Sequence, residues 1–224
     1  MEKFGNITLY NDDCMNVMKT FKDKQFDLAL VDPPYGIGAG KEKPHNGWKD
    51  YGIKQWDNKS PDKEYFEELF RVSQNQIIWG ANHFISKIPF DFSCFLIWDK
   101  GQRDFSLSDG EMAWTSLKKA ARFFDYSRSQ ALQEGKIHPT QKPVALYEWI
   151  LSNYAKQGDK ILDTHVGSAS SLIACHNLGF QYVGFELDKE YYEKSLERLE
   201  TAKKQVSILD VIEKKENTQI GMEE

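Results

Sequence analysis

Residues 26–36 decide the fold and have the sequence Phe-Asp-Leu-Ala-Leu-Val-Asp-Pro-Pro-Tyr-Gly. The apolar run over Phe26–Val31 ends abruptly, which predicts a short, buried strand of a parallel sheet. In open α/β sheets, ligands bind beyond the carboxyl ends of such strands. The residues that follow this strand are Asp32, Pro33, Pro34 and Tyr35. A functional site is therefore expected directly after the strand.

The chemistry of this tetrapeptide is restrictive. Pro33 and Pro34 fix φ and lack an N–H, so the Asp32 carboxylate and the Pro33 carbonyl have no adjacent backbone donor that competes for them. Two acceptors beside an aromatic ring suit a planar group with an exocyclic NH₂, such as an adenine or cytosine flipped out of a nucleic-acid strand. The alternative is a strand that ends in a proline turn, with Asp32 as a surface cap and Tyr35 as a core aromatic. Because the tetrapeptide follows a buried strand, we favour the functional interpretation.

Composition limits the class of protein. A chain of 224 residues is long enough for one α/β domain, and no apolar run approaches the length of a membrane span. The first residues lack the basic and apolar regions of a signal peptide, so a cytoplasmic location is expected. Cys14, Cys94 and Cys175 are widely spaced and odd in number, which favours a reducing compartment. The five histidines form no metal-ligand spacing with them, so no metal is expected.

The charge distribution bears on nucleic-acid binding. The net charge of −5 is unusual for a protein that contacts phosphates, but residues 100–142 carry eight basic and five acidic side chains. We expect residues 99–137 to form a target-recognition region, although a solvated charged face remains an alternative. Residues 36–60 are rich in glycine, lysine and aromatics, which predicts a mobile loop that closes over a substrate. The alternative for that segment is a plain surface loop.

A second constellation lies near the carboxyl end of the chain. Residues 159–163 form a predicted strand that ends at Asp163, a turn of small residues leads into a helix over 172–178, and the strand Gln181–Phe185 ends at Glu186. This is a mononucleotide-binding βαβ unit, in which Glu186 is placed to accept a ribose hydroxyl. The turn lacks the three spaced glycines that seat a pyrophosphate. Asp163 at its start disfavours phosphate and suits an ammonium or a sulfonium.

These motifs resemble the beta group of DNA amino-methyltransferases, which use S-adenosylmethionine to methylate exocyclic amines of DNA bases. The hallmark of that family is Asp/Asn/Ser-Pro-Pro-Tyr, and its cofactor turn is usually Asp-Pro-Phe-x-Gly-Ser-Gly-Thr. Here Thr164, His165 and Ala169 replace the proline, the phenylalanine and the last glycine of the turn. We expect Ala169 to be a mild change if its φ is negative. The string His-Pro-Thr-Gln-Lys-Pro over residues 138–143 resembles the family motif that helps to hold the cofactor.

The resemblance implies a Rossmann-like α/β fold with a mostly parallel, seven-stranded sheet. Because the cofactor turn follows the Asp-Pro-Pro-Tyr strand, the sheet is expected to be circularly permuted between its second and third strands, with Ile7–Tyr10 as the third. That position makes Asp13 a candidate hydrogen-bond partner of the cofactor's adenine, and capping of a helix is the equally plausible alternative. The methyltransferase domain is expected over residues 1–206, followed by a charged tail over residues 207–224.

The resemblance also implies the site. The catalytic residues are Asp32, Pro33, Pro34 and Tyr35. The expected cofactor-binding residues are Asp13, Asp32, His138, Thr140, Gln141, Lys142, Pro143, Asp163, Thr164, Gly167, Ser168 and Glu186. The expected reaction is methylation of N6 of adenine in double-stranded DNA, within or outside a restriction-modification system. Cytosine-N4 methylation and a silent DNA-binding regulator are the alternatives, and a homodimer is an expectation from the family.

Overall fold

The computed structural model describes residues 1–40, 52–91, 94–103 and 108–220. Its centre is a single sheet that contains nine strands in these residues. The strands are β1 (Glu2–Phe4), β2 (Ile7–Tyr10), β3 (Phe26–Val31), β4 (Ser73–Trp79), β5 (Cys94–Asp99), β6 (Gly110–Thr115), β7 (Arg122–Asp125), β8 (Lys160–Asp163) and β9 (Gln181–Phe185). Their order in space is β1-β2-β9-β8-β3-β4-β6-β5-β7.

The apolar strand β3 lies in the middle of the sheet, as its sequence predicts. It pairs in parallel with β8 through Leu28 opposite Ile161, and in parallel with β4 through Val31 opposite Ile78. Parallel pairs also join β2 to β9, β9 to β8 and β5 to β7. The antiparallel pairs are β1 with β2, β4 with β6 and β5 with β6. The carboxyl ends of β3, β8 and β9 therefore meet at one edge, where their terminal acids come together.

The predicted count of seven strands is wrong for the described chain. The two additional strands, β1 and β7, lie at the two edges of the sheet. Glu2–Phe4 forms a hairpin with β2, and the intervening Gly5 has a φ of +59°. Arg122–Asp125 lies inside the predicted recognition region but pairs with β5. Edge strands need only one buried face, so they have no continuous apolar run that identifies them. The circular permutation itself stays a prediction.

Helices cover both faces of the sheet. They are α1 (Cys14–Met18), α2 (Lys63–Val72), α3 (Arg128–Gln133), α4 (Val144–Tyr154), α5 (Ser170–Leu178) and α6 (Lys189–Ile220). Leu28 and Leu30 of β3 join the core on the side of α4 and α5, and Ala29 and Val31 join the core on the side of α1 and α2. This alternation gives β3 a buried environment on both faces.

The carboxyl-terminal helix is longer than the sequence suggests. The methyltransferase domain is expected to end at residue 206, but α6 continues to Ile220 and includes most of the segment predicted as a charged tail. Within the described residues, no helix is both long and apolar enough to cross a membrane.

Candidate active site

Two cavities meet at the carboxyl end of β3. One, the turn cavity, has a volume of about 490 Å³ and lies against the turn that follows β8. The other, the distal cavity, has a volume of about 510 Å³ and lies towards β6 and α3. The residues that line both are Asp32, Pro34, Trp56, Thr140 and Gln141. A ligand in either cavity would therefore reach Asp32.

The Asp32 carboxylate is surrounded by groups from distant parts of the chain. The hydroxyl of Tyr35 donates to Oδ1 at 2.8 Å, and the ammonium of Lys142 donates to Oδ2 at 2.5 Å. The same ammonium contacts Oε2 of Glu111 at 2.9 Å, and Oε1 of Glu111 lies 2.6 Å from Lys100 Nζ. Carboxylates and ammonium groups thus alternate from the junction of the cavities to the wall of the distal cavity.

Burial and charge act against each other at this site. Burial raises the pKa of Asp32, and the Lys142 ammonium only partly offsets this effect. Burial lowers the pKa of Lys142, but the charges of Asp32 and Glu111 outweigh it and raise that pKa above its usual range. For Glu111, burial also raises the pKa, but Lys142 and Lys100 together hold it at about 2. The lysine therefore stays charged between its two carboxylates.

Tyr35 is packed by a residue that the sequence analysis missed. Its ring stacks on His83 with a centroid distance of 4.9 Å and an interplanar angle of 16°. On Gly80, which has a φ of +69°, a Cβ would lie 2.0 Å from the Tyr35 ring. Tyr35 thus lies in the wall of the distal cavity, with one ring face on an exposed imidazole. Its stacking on a flipped base stays a prediction.

Asp163 accepts hydrogen bonds from the turn that follows β8. Asp163 Oδ1 accepts the backbone N–H of His165 at 2.9 Å, and Oδ2 accepts the hydroxyls of Ser171 at 2.5 Å and Tyr182 at 3.3 Å. Burial raises the pKa of Asp163 to about 6. Asp163 is not among the residues that line the turn cavity. The structure therefore gives this acid a supporting position under the turn, and its direct contact with a cation stays a prediction.

Glu186 faces the turn cavity and anchors its rim. Its Oε2 accepts the backbone N–H of Gly167 at 2.8 Å, and its Oε1 accepts that of Asp188 at 2.8 Å. Burial raises the pKa of Glu186 to about 7. Each oxygen keeps a further lone pair, so the carboxylate can accept hydroxyl groups of a ligand.

The turn itself departs from expectation at Ala169. This buried alanine has a φ of +66°. The substitution of glycine by Ala169 was expected to be mild only if φ is negative, so that condition is not met. The left-handed conformation costs an L-residue about 1–2 kcal/mol. The turn keeps its shape through contacts from outside it, since Arg198 donates to Ser168 O at 2.7 Å and to Ser170 Oγ at 2.8 Å.

The 138–143 segment lies across the junction. His138 is buried against Trp56 and Tyr191, with centroids at 4.9 and 4.4 Å, and burial lowers its pKa to about 3. The side chain of Gln141 fixes the segment by donating to Gly135 O at 2.6 Å and accepting from Ile137 N at 3.0 Å.

The other expected cofactor residues have mixed positions. Asp13, Thr140, Thr164, Gly167 and Ser168 line the turn cavity. Asp13 also caps α1 by accepting the N–H of Met15 at 2.9 Å, so the capping alternative is observed and the adenine contact stays a prediction. Pro143 precedes the first residue of α4 and is not among the cavity-lining residues. Lys142 lines the cavity while its ammonium points to Asp32 and Glu111.

The predicted mobile loop is tied down at both described ends. Asp57 accepts the N–H groups of Gly36 and Ala39 at 2.8 Å each. Lys54 contacts Asp188 at 3.0 Å and Glu190 at 2.7 Å, beside the turn cavity. Residues 41–51 of this loop lie outside the described residues, so its mobility stays a prediction.

Sequence reasoning missed Lys100, Glu111, His83 and Trp56 as site residues. Lys100 and Glu111 contribute through ion pairs and His83 and Trp56 through ring contacts, and no short motif surrounds any of them. For Trp56 the aromatic content of residues 36–60, and for Lys100 the basic content of residues 99–137, is the signal that the sequence offers. No group of three or more His, Cys, Asp or Glu side chains in the described ranges could hold a metal ion.

Comparison with known proteins finds a matching protein family. The model of the DNA methylase family, which covers N6 and N4 methyltransferases, matches residues 77–197, more than half of the chain. The Type II methyltransferase M2.DpnII of Streptococcus pneumoniae is 27% identical over 243 residues, which cover 88% of this chain and 90% of the relative. M.HpaI of Haemophilus parainfluenzae is 29% identical over 241 residues, which cover 84% of this chain and 73% of the relative.

Solved structures share the fold. The M1.HpyAVI-SAM complex has a TM-score of 0.60 at 23% identity and covers 86% of this chain and 100% of its own. The cytosine-N4-specific PvuII DNA methyltransferase has a TM-score of 0.61 at 14% identity and covers 88% of this chain and 87% of its own. At these identities the likeness establishes the fold alone. The match of the family model, together with the curated relatives, shows that the chain belongs to the DNA methylase family of N6 and N4 methyltransferases.

Proposed function

We propose that this protein transfers a methyl group from S-adenosylmethionine to N6 of adenine in DNA. The observation that carries the proposal is the position of Asp32, whose carboxylate lies where the turn cavity and the distal cavity meet. A donor in one cavity and an acceptor base in the other would have their reacting atoms at this residue. Proximity of this kind removes much of the entropic barrier of a two-substrate reaction.

The turn cavity fits the proposed cofactor. Its wall carries the carboxylates of Asp12, Asp13, Glu186 and Asp188, which suit a cation with hydroxyl groups and disfavour phosphates. Two buried polar atoms at its rim, Trp56 Nε1 and Tyr191 Oη, have no hydrogen-bond partner among the described residues. Glu186 is our candidate acceptor for the ribose hydroxyls of the cofactor. When bound, S-adenosylmethionine supplies an electrophilic methyl group on a sulfonium.

Asp32 supplies what the acceptor needs. An exocyclic amine of a base is a poor nucleophile because its lone pair is delocalised into the ring. An ionised Asp32 accepts one amine N–H, and the Pro33 carbonyl accepts the other, which draws the nitrogen towards sp³ geometry and frees its lone pair. The Tyr35 ring offers the neighbouring wall of the distal cavity for the base. Extracting the base costs a few kcal/mol, which stacking and two hydrogen bonds can offset.

The choice of adenine rests on position 32. An aspartate in the tetrapeptide favours N6 of adenine in the family that the sequence resembles, whereas serine is associated with N4 of cytosine. Cytosine-N4 methylation is the second candidate, since the PvuII structure shares the fold and is named as cytosine-specific. Both bases present an amine beside a ring nitrogen, so the cavity walls alone do not separate them.

Transfer of tritiated methyl groups to mixed-sequence duplex DNA tests the proposal. The product is digested to nucleosides and separated. We expect the label in N6-methyl-2′-deoxyadenosine. Label in N4-methyl-2′-deoxycytidine would instead identify cytosine as the target base. The Asp32→Ala variant is the control and should give no label while it keeps its affinity for the cofactor. Absence of label with wild-type protein that binds the cofactor would refute the proposed reaction.

A further inference from the structure

The ammonium of Lys142 is fully engaged inside the protein. Its Nζ lies 2.5 Å from Asp32 Oδ2, 2.9 Å from Glu111 Oε2 and 3.1 Å from Tyr35 Oη. An ammonium group has three N–H donors, and these three contacts use all of them. The side chain is 1% exposed. No donor is left for a ligand in the turn cavity, so direct cofactor binding by this ammonium is disfavoured.

The three partners of Lys142 come from two parts of the sheet. Asp32 and Tyr35 follow β3, and Glu111 belongs to β6, two places away in the sheet. Glu111 is held in turn by Lys100, which follows β5 and lies 5.0 Å from the centroid of the Trp98 ring. The position of the Lys142 ammonium therefore depends on Glu111 of β6 and on Lys100 after β5.

The consequence for Asp32 is geometric. Tyr35 donates to Oδ1 and Lys142 donates to Oδ2, so the carboxylate cannot rotate without losing one of two charge-assisted hydrogen bonds. Each oxygen still has a lone pair for a further donor. One carboxylate orientation is thus selected before any base arrives, which is the condition for preorganised catalysis.

We propose that Lys142 is a positioning residue of the reaction, which holds Asp32 ionised and in one orientation, and that Glu111 fixes the lysine. This inference rests on the proposed function and assigns Lys142 a different role from the cofactor contact that the sequence motif implies. Its ammonium donates to neither substrate. It acts through Asp32, because an ammonium beside a buried carboxylate stabilises the charged form that accepts hydrogen bonds.

The pH dependence of Asp32 provides the test. The titratable and charged groups that act on Asp32 or are acted on by it are Tyr35, Tyr65, Glu111, Lys142, Tyr147 and Asp163. Of these, Lys142 and, through its hydrogen bond, Tyr35 favour the ionised form of Asp32, and Glu111 opposes it. Removing the lysine should raise the pKa of Asp32. Removing the charge of Glu111 should lower it, because Lys142 then serves one carboxylate.

The experiment compares Lys142→Met, Glu111→Gln and wild type. We expect Lys142→Met to lose at least 30-fold in kcat at pH 7, to keep its dissociation constant for S-adenosylmethionine within threefold, and to move the acid limb of its kcat profile upward by at least one pH unit. Glu111→Gln should move the acid limb in the opposite direction. Lys63→Met is the matched control, since Lys63 pairs only with Glu67 on the surface of α2 among the ion pairs described. It should behave as wild type.

A second measurement does not depend on turnover. The ¹³C carboxyl resonance of Asp32, assigned by its loss in Asp32→Asn, should titrate at higher pH in Lys142→Met and at lower pH in Glu111→Gln. If Lys142→Met does not fold, the direction of the shift in Glu111→Gln decides. Unchanged titration in the folded variants, or a loss of cofactor affinity that matches the loss of kcat, would overturn the proposal. Failure of the wild-type protein to methylate DNA would refute the proposed function and leave the titration test intact.

Discussion

Two neighbouring strand ends of this protein hold their acids in opposite ways. After β8, Asp163 is satisfied by neutral donors that lie within twenty residues of it along the chain, His165 N, Ser171 Oγ and Tyr182 Oη. After β3, Asp32 is held by Lys142, 110 positions away, in an array of alternating charges. The first acid shapes a local turn. The second is paired with an ammonium at the junction of two cavities, among charged groups that only the folded sheet brings together.

This difference separates an acid that supports the fold from an acid that we assign to the reaction. Asp163 is buried among neutral donors, burial raises its pKa to about 6, and it supports the backbone around it. A carboxylate that faces two cavities needs a permanent counter-charge to stay ionised. Loss of support should therefore lower stability at the β8 end, whereas at the β3 end it should also impair methyl transfer. The following variants test this distinction from the largest expected effect to the smallest.

Gly80→Ala should have the largest effect. A Cβ at this position would lie 2.0 Å from the Tyr35 ring, and the φ of +69° adds strain. We expect the free energy of unfolding to fall by about 3 kcal/mol and methyl transfer to fall with the displacement of Tyr35 from Asp32. Chemical denaturation measures the first effect. Gly5→Ala is the matched control, since φ is +59° with no atom within 4 Å, and it should lose only about 1 kcal/mol. Equal losses in the two variants would refute the role of the Tyr35 contact.

Asp163→Ala tests the β8 end. It leaves three donors without their acceptor, two of them side chains in the buried core, and should lower the free energy of unfolding by about 2–3 kcal/mol. Asp159→Ala removes an acid from the preceding loop, where it accepts only Lys156 N at 2.8 Å among the side-chain bonds described, and should cost less than about 1 kcal/mol. Urea denaturation compares them. A stable Asp163→Ala protein that has lost cofactor affinity would favour direct binding by Asp163.

The sequence predicted the β8 end better than the β3 end for a physical reason. The acid, the small-residue turn, the helix and Glu186 are consecutive, so local spacing carries the information. The tetrapeptide after β3 identifies Asp32, but its partners Glu111 and Lys100 depend on the antiparallel pairing of β5 and β6, which no local pattern specifies. The edge strands β1 and β7 escaped prediction because one-sided burial leaves a weak periodic signal. The central strand was predictable because it is apolar on both faces.

Glu186 should make the affinity for S-adenosylmethionine depend on pH. Its folded pKa of about 7 lies above the ordinary value of 4.5, because burial disfavours the charge. A cationic ligand whose hydroxyls donate to Glu186 favours the ionised form, so binding should release a proton and tighten as the pH rises from 6 to 8. We expect up to about a tenfold gain in affinity for S-adenosylmethionine over this range. Calorimetry in buffers of different ionisation enthalpy measures it, and Glu186→Gln should lose the slope. A slope that persists in the variant would assign the proton to another group.

Ala169→Gly should have the smallest effect. Relief of the left-handed strain favours glycine by about 1–2 kcal/mol. Loss of the buried methyl group costs about 0.8 kcal/mol, and the greater freedom of the unfolded glycine chain costs slightly less than the methyl group does. The free energy of unfolding should change by less than about 1 kcal/mol in thermal denaturation. A stabilisation above about 2 kcal/mol would mean that the turn is far more strained than its external contacts from Arg198 imply.

The most direct test of the central claim is the single-turnover rate of methyl transfer by Asp32→Asn, measured with the cofactor complex already formed. Asparagine keeps the shape of the side chain and removes its charge. We predict a loss of at least about 100-fold in the rate, with the dissociation constant for S-adenosylmethionine within threefold of wild type. A variant that transfers methyl at the wild-type rate, or one whose loss of rate is accounted for by weaker cofactor binding, would contradict the assignment of Asp32 to the junction between cofactor and base.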